Sequence, residues 1–263
     1  MIKLGMTDCP ALRSLLARGA LDLDYIEVHG PYAQDARQAY PNAPMLLHNA
    51  LYQWSLCHPD GLLHKDGAAL TGQLLALTGS PWYSLHLGFS AAEVDFVGDS
   101  MLALSPVLAP EVILERCVCL LADLRGLLDK EMIVLVENLD YNPGGAYETV
   151  CTPTFISQVV KESGVGLLLD LAHARISAAA LGLAVEDYLL LLPLEQVRQL
   201  HINRPLWNGE RLWDAHEALQ AEDEMLLQWT LARCQPWALT LEYNRDECLI
   251  LAQVARLRQI LGA

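Results

Sequence analysis

The run Val165–Asp170, Val-Gly-Leu-Leu-Leu-Asp, is too apolar to leave one face in water and too short for an ordinary helix. It reads as a strand buried on both faces, the kind found in parallel sheets covered by helices. Seven other segments read as strands: Ile2–Met6, Leu23–His29, Met45–His48, Trp82–Leu87, Met132–Glu137, Val197–Ile202 and Trp237–Glu242. Helical patterns fall between them near Pro10–Arg18, Gly67–Leu77, Pro106–Leu128, Pro153–Glu162, Ala174–Leu192, Glu217–Arg233 and Asp246–Leu261, and a polar loop precedes Glu217. Regular β-then-α alternation implies a parallel sheet with right-handed crossovers. Eight such units predict closure into a (β/α)8 TIM barrel, with an open doubly wound sheet as the alternative. No linker or low-complexity tract interrupts the pattern, so residues 1–263 are expected to form one domain.

Hydrophobic residues make up 53% of the chain, enough for a large core. No apolar run reaches the ~20 residues of a membrane span, and Met-Ile-Lys-Leu-Gly-Met lacks the plan of a signal peptide. A cytoplasmic location is therefore expected. The seven cysteines, at 9, 57, 117, 119, 151, 234 and 248, form no CxxC pair and read as free thiols, mostly buried. The formal charge of −15 opposes general attraction to a phosphate backbone, so nucleic acid is disfavoured as a partner.

The strand ends carry the chemistry. Strands three to eight finish at His48, His86, Glu137, Asp170, His201 and Glu242, and His173, Asp214 and His216 lie just beyond two of them. Five of the eight histidines fall in this set. Any one residue has an ordinary explanation, such as Asp170 capping the next helix. The series does not, because unpaired acids and imidazoles converging at a barrel mouth are costly to desolvate. Metal ions offset that cost. Imidazole and carboxylate donors without thiolate suit zinc, iron or manganese. Nine donors exceed the needs of one ion, so two or three ions sharing Glu137 or Glu242 are expected, with Glu137, Asp170, His201 and Glu242 as the catalytic members.

Substrate-contact candidates are fewer and weaker in signal. Glu27 and His29 share one side of strand two and fit either a substrate contact or support of a ligand. Asn138 follows Glu137 and could orient it or serve the turn. Arg175, Arg204, Arg211 and Arg245 cluster after strands six to eight, where they could clamp an anion or offset acidic neighbours. Trp207 and Trp213 flank Asp214 and are placed to cover the mouth.

In order, His48, His86, Glu137, Asp170-x-x-His173, His201, Asp214-x-His216 and Glu242 resemble the nine-ligand set of the endonuclease IV branch of xylose isomerase-like TIM barrels. The flanking motifs Tyr-Ile-Glu-Val-His (25–29), Ser-Leu-His-Leu (84–87), Val-Glu-Asn (136–138), Leu-Leu-Leu-Asp (167–170), Asp-Ala-His (214–216) and Leu-Glu-Tyr-Asn (241–244) are similar to the multinuclear non-haem iron-dependent oxidases. That resemblance implies two or three metal ions, iron first with zinc or manganese as alternatives, and O2 as co-substrate. It also implies oxidative modification of a peptide at cysteine or another residue, with a separate partner protein delivering the peptide. His48, His86, Glu137, Asp170, His201 and Glu242 would hold an iron pair, and His173, Asp214 and His216 a third ion. His173 departs from the asparagine usual in that family, which favours a zinc phosphodiesterase as the second reading. A sugar isomerase or epimerase around one Mn2+ at Glu137, Asp170, His201 and Glu242 is the third, and a peptide-binding barrel with structural metals the fourth.

Overall fold

The computed structural model describes residues 1–50, 58–61, 66–97, 100–128 and 131–262. Cys57, one of the seven thiols, lies outside them. Eight parallel strands close into a barrel in the order β1 (Lys3–Thr7), β12 (Ala238–Leu241), β9 (Val197–Ile202), β8 (Gly166–Asp170), β7 (Ile133–Glu137), β4 (Trp82–His86), β3 (Met45–His48) and β2 (Tyr25–His29). The barrel helices are α1 (Pro10–Ala17), α2 (Ala33–Ala39), α3 (Gly67–Thr78), α4 (Pro110–Leu127), α5 (Pro153–Ser163), α6 (Leu171–Ala180), α7 (Val185–Leu190), α8 (Ala221–Leu231) and α9 (Glu247–Leu261). The expected TIM barrel is the observed fold.

The strand registers explain why ligand-type residues gather at one end. His29 lies opposite His48, His86 opposite Glu137, and Asp170 opposite His201, so the strands deliver these side chains at nearly one level. Residues two positions earlier also face inward, because strand side chains repeat every second residue. At the far end of the barrel this inward set becomes an apolar plug of Tyr25, Leu46, Trp82, Leu135, Leu168 and Ala238. Full burial stabilises each large member by about 1.5–3 kcal/mol, and the plug excludes water from beneath the polar end. Two glycines permit close approaches. A Cβ on Gly5 would stand 2.3 Å from the Tyr25 ring, and one on Gly30 would stand 2.0 Å from the Ala50 carbonyl oxygen, just past His48.

Four features differ from expectation. The polar loop before Glu217 is a hairpin of β10 (Arg204–Asn208) and β11 (Arg211–Glu217), turned at Gly209-Glu210 with Gly209 at φ +64°. A two-residue loop with glycine at its first position is a favoured hairpin connection. A second antiparallel pair, β5 (Val94–Val97) with β6 (Ser100–Ala103), lies where no strand was expected. The single helix expected over Ala174–Leu192 is divided into α6 and α7, because the chain turns at Gly182 with φ +69°. Glu242 sits one residue past β12, although its N–H still donates to the Ile202 carbonyl at 3.1 Å.

Candidate metal centre

All nine candidate donors converge at the C-terminal end of the barrel. His48 Nε2 and His86 Nε2 stand 3.0 and 3.1 Å from Glu137 Oε2. The other oxygen of Glu137 faces a second group: His201 Nδ1 is 3.4 Å from Glu137 Oε1, 3.3 Å from Glu242 Oε1 and 4.0 Å from Asp170 Oδ2. A third group forms around Asp214 Oδ2, with His216 Nε2 at 3.0 Å and His173 Nε2 at 3.7 Å, and Glu242 Oε2 lies 3.7 Å from His216 Nε2. Glu137 thus links the first two groups and Glu242 the last two, each through its separate oxygens.

The donors fit metal ions. Ligand bonds of about 2.0–2.2 Å place neighbouring donors of one ion roughly 3.0–3.5 Å apart, which is the spacing of most of these atoms. Glu137 Oε2, Asp170 Oδ2, His201 Nδ1 and Asp214 Oδ1 are buried and make no hydrogen bond. Buried polar atoms left in this way need an account, and the first three face other donors of the cluster. Asp170 also caps α6: its Oδ1 accepts from the His173 N–H at 2.7 Å. Helix capping and ligand geometry therefore use different oxygens of one side chain. His173 itself lies in the first turn of α6, where its Nδ1 meets the Asn138 carbonyl oxygen at 2.9 Å, leaving Nε2 for Asp214.

The electrostatics show a cluster short of positive charge. Burial pushes the Asp170 carboxyl up to about 8, with Glu242 and Glu137 adding to the rise and His173 opposing it. Burial would also raise Glu137 and Glu242, but the imidazoles around them hold both carboxyls well below the usual range. Burial disfavours charged imidazole, yet Asp170 and Asp214 raise His173, Glu27 and Glu242 raise His201, and Asp214 and Glu242 bring His216 to about 9. The carboxylates favour protonation of the three imidazoles, and bound cations would take over that balancing role.

Several contributing residues carried no obvious signal in the sequence. Asn49, in the left-handed region at φ 47°, accepts from the His86 N–H at 2.8 Å, and its Nδ2 lies 3.0 Å from His48 Nε2. Ser84 Oγ meets His48 Nδ1 at 2.9 Å, and Asn203 donates to Glu242 Oε2 at 3.2 Å. His216 is also left-handed, at φ 46°. Backbone strain of roughly 1–3 kcal/mol per such residue is concentrated where side chains must be aimed. Ser84 was legible in principle, being two residues before His86 on one strand face. Asn49 was not, because it depends on a turn conformation.

A cavity of about 810 Å³ opens above the donors. Tyr32, Phe89, Phe96, Met101, Tyr147 and Trp213 form its apolar wall, with Asp140, Arg211 and Asn244 among its polar residues. Burial raises the Asp140 carboxyl. The substrate-contact candidates divide. His29 lines the cavity, and burial with His48 lowers its imidazole to about 4. Glu27 is fully buried, meets His201 Nε2 at 3.0 Å and does not line the cavity. Asn138 clasps the Asp170 backbone, accepting its N–H at 2.9 Å and donating to its carbonyl at 3.0 Å. Arg175 pairs with Asp223 and Glu222, and Arg245 with Glu217 and the Ala215 carbonyl. Neither these two nor Arg204 lines the cavity, and Arg175 and Arg245 are engaged by acidic neighbours. Trp213 covers part of the mouth, while Trp207 is 65% exposed outside it.

Comparison with known proteins places the chain. A 3-keto-D-glucoside 4-epimerase from E. coli has a TM-score of 0.62 at 14% identity, covering all of both chains. A Thermus thermophilus protein soaked with zinc chloride gives 0.58 at 20% identity, covering 99% of this chain and 98% of that one. A xylose isomerase domain protein from Planctomyces limnophilus gives 0.57 at 14% identity, with 99% and 96% covered. At these identities the likeness is one of fold. Among curated sequences, a UPF0276 protein of Psychromonas ingrahamii is 34% identical over 94 residues, which is 33% of this chain and 32% of that protein. One of Paraburkholderia phytofirmans is 42% identical over 69 residues, 26% and 22% of the respective lengths. The matched segments thus span about a third or less of these curated relatives. Residues 22–260 match the model of one family, and the chain belongs to it: the RiPP precursor modification enzymes MbnB/TglH/ChrH.

Proposed function

We propose that this protein is a multinuclear non-haem iron-dependent oxidase that modifies a cysteine or another residue of a peptide, with O2 as co-substrate. The observation that carries this reading is the convergence of nine donors into three groups, linked by Glu137 and Glu242, beneath an open cavity of about 810 Å³. Family membership supplies the substrate class, a peptide precursor. His48, His86 and Glu137 would hold one ion, Glu137, Asp170, His201 and Glu242 the second, and His173, Asp214 and His216 the third. Iron there would supply oxygen activation and electron transfer from the substrate.

The protein's own residues supply the rest. The apolar plug beneath and the aromatic wall above limit water at the donors. Glu137 and Glu242 fix the spacing between groups. Trp213 and Phe96, carried by the two hairpins, bound the cavity where a peptide would enter. A partner protein presenting the peptide, and a cytoplasmic location, belong to the same proposal. No helix among the described residues is long and apolar enough to cross a membrane.

The test is metal analysis of anaerobically purified protein with its optical spectrum before and after air. Two or three irons with charge-transfer bands that change with O2 support the oxidase; three zincs and an inert spectrum refute it. One observation favours the zinc phosphodiesterase as second reading: His173 offers an imidazole to the third group. Nicking of abasic DNA by fully loaded protein would establish that reading, and its absence removes it.

A further inference from the structure

Glu27 is a fully buried carboxylate beneath the metal centre, and its environment defines which way a neighbouring imidazole faces. The chain of constraints starts at Trp82. An indole N–H can only donate, and Trp82 Nε1 lies 2.8 Å from Gln199 Oε1. The Gln199 carbonyl is therefore the accepting end, and its Nε2 hydrogens point the other way, to Glu27 Oε2 and to Thr240 Oγ1 at 3.1 Å. Thr240 Oγ1 donates to the same Glu27 oxygen at 3.1 Å, and Tyr25 Oη supports Thr240 at 2.9 Å. His201 Nε2 completes the set at 3.0 Å from Glu27 Oε2. That oxygen is an acceptor to every neighbour, so the favourable arrangement places a hydrogen on His201 Nε2. Gln199 Nε2 also lies 3.2 Å from His201 Nε2, but its two hydrogens are engaged at Glu27 and Thr240. The opposite tautomer would set a nitrogen lone pair against a buried carboxylate oxygen at 3.0 Å.

We propose that Trp82, Gln199 and Glu27 form a tautomer lock that keeps the hydrogen of His201 on Nε2 and turns Nδ1 toward the metal centre. The inference rests on the metal-site reading above. Nδ1 is the ring atom that faces Glu137, Glu242 and Asp170, and it makes no hydrogen bond. Carboxylate support of a ligating imidazole fixes its orientation and raises its basicity, and losing it typically costs 10–100-fold in metal affinity. Glu27 is thus a positioning residue, acting through His201 and touching neither cavity nor substrate. The device reaches across the barrel: an indole on β4 orients an amide on β9, which orients a carboxylate on β2, which returns to an imidazole on β9.

The test is long-range proton–nitrogen correlation NMR of the full chain labelled with [15N]histidine, in metal-free and zinc-loaded forms. The expected result is a downfield, slowly exchanging proton on His201 Nε2 in both. In Glu27→Gln that proton should move upfield and exchange at least ~10-fold faster, with a smaller change in the same direction for Trp82→Phe. A chelator competition should show one zinc bound roughly 10–100-fold more weakly in Glu27→Gln. Thermal melts establish that both variants fold, and a purely structural role for Glu27 would alter melting without moving the His201 signal. A proton on Nδ1 in the zinc form, or a His201 signal indifferent to both substitutions, overturns the lock. A metal-free spectrum at a pH high enough for His201 to shed its second proton separates the two claims: a neutral ring that keeps its Glu27-dependent proton on Nε2 in protein that binds no metal retains the lock and refutes the metal centre alone.

Discussion

Asp170 performs two tasks with two oxygens, and substitution can separate them. Oδ1 caps α6 through the His173 N–H, while Oδ2 points without a hydrogen bond toward the donors. Asparagine keeps a capping oxygen but loses the anionic ligand, whereas alanine loses both. A missing N-cap costs about 1 kcal/mol, which for a chain of this size is a fall of roughly 2–4 °C in melting temperature. The carboxyl is pushed up to about 8 in the metal-free fold, so at pH 7 it is largely neutral and asparagine resembles it. Metal-free Asp170→Asn should therefore melt within a degree or two of the parent at pH 7, and Asp170→Ala should fall by the cap's worth. Both should lose the ion held by His201. Above the unfolded carboxyl value near 4, the unfolded chain binds fewer protons here than the fold does, so the parent loses stability as pH rises toward 8. Asp170→Asn removes this carboxyl's share of the slope and leaves that of the raised imidazoles. Metal-free melts at pH 5 to 8, with metal counted by mass spectrometry, make the comparison. An Asp170→Asn protein with the full metal complement, or one melting like Asp170→Ala, would refute the division of labour.

Glu137→Gln should release two ions, because its oxygens face separate groups, while His216→Ala should release one; metal counting on gel-filtered protein distinguishes them. Loading should release protons, since His173 and His201 are held above their usual range and His216 is brought to about 9. Apparent affinity should then rise with pH through about 9, and calorimetry in buffers of different ionisation enthalpy would expose a contrary, pH-independent uptake. Arg175→Leu should destabilise the fold by about 1–3 kcal/mol, by leaving Oδ1 of buried Asp223 without its cationic partner while Oδ2 still accepts from the Gln220 N–H. Its metal content should be unchanged, and a loss of ions with unaltered melting would return Arg175 to the site.

The nine donors were legible because parallel strands place their last residues on one rim, so a one-dimensional series becomes a ring. The barrel followed from the same regularity. What escaped is set by tertiary context. Asn49 reaches His48 and His86 only from a left-handed turn. Gln199 and Thr240 look like ordinary strand residues until the barrel closes and points them at Glu27. The β10–β11 hairpin turns on Gly209, but the polar residues around it read as loop. Arginines after strands six to eight shared a rim in sequence, yet helix and hairpin acids took two of them first.

The barrel itself does not hold the third group. Asp214 and His216 project from a two-stranded hairpin, while the other donors belong to the strand ends and the first turn of α6. The hairpin packs on α6 and buries Leu212 and Ala215, but it has only two strands, so an ion bound there would spend part of its binding energy in ordering it. The first two positions lie on preformed walls and carry no such cost. With ions in all three groups, the barrel positions should fill first and empty last, and loss of the outer ion should loosen the hairpin that carries Trp213 at the rim; metal counting during stepwise chelation checks that order.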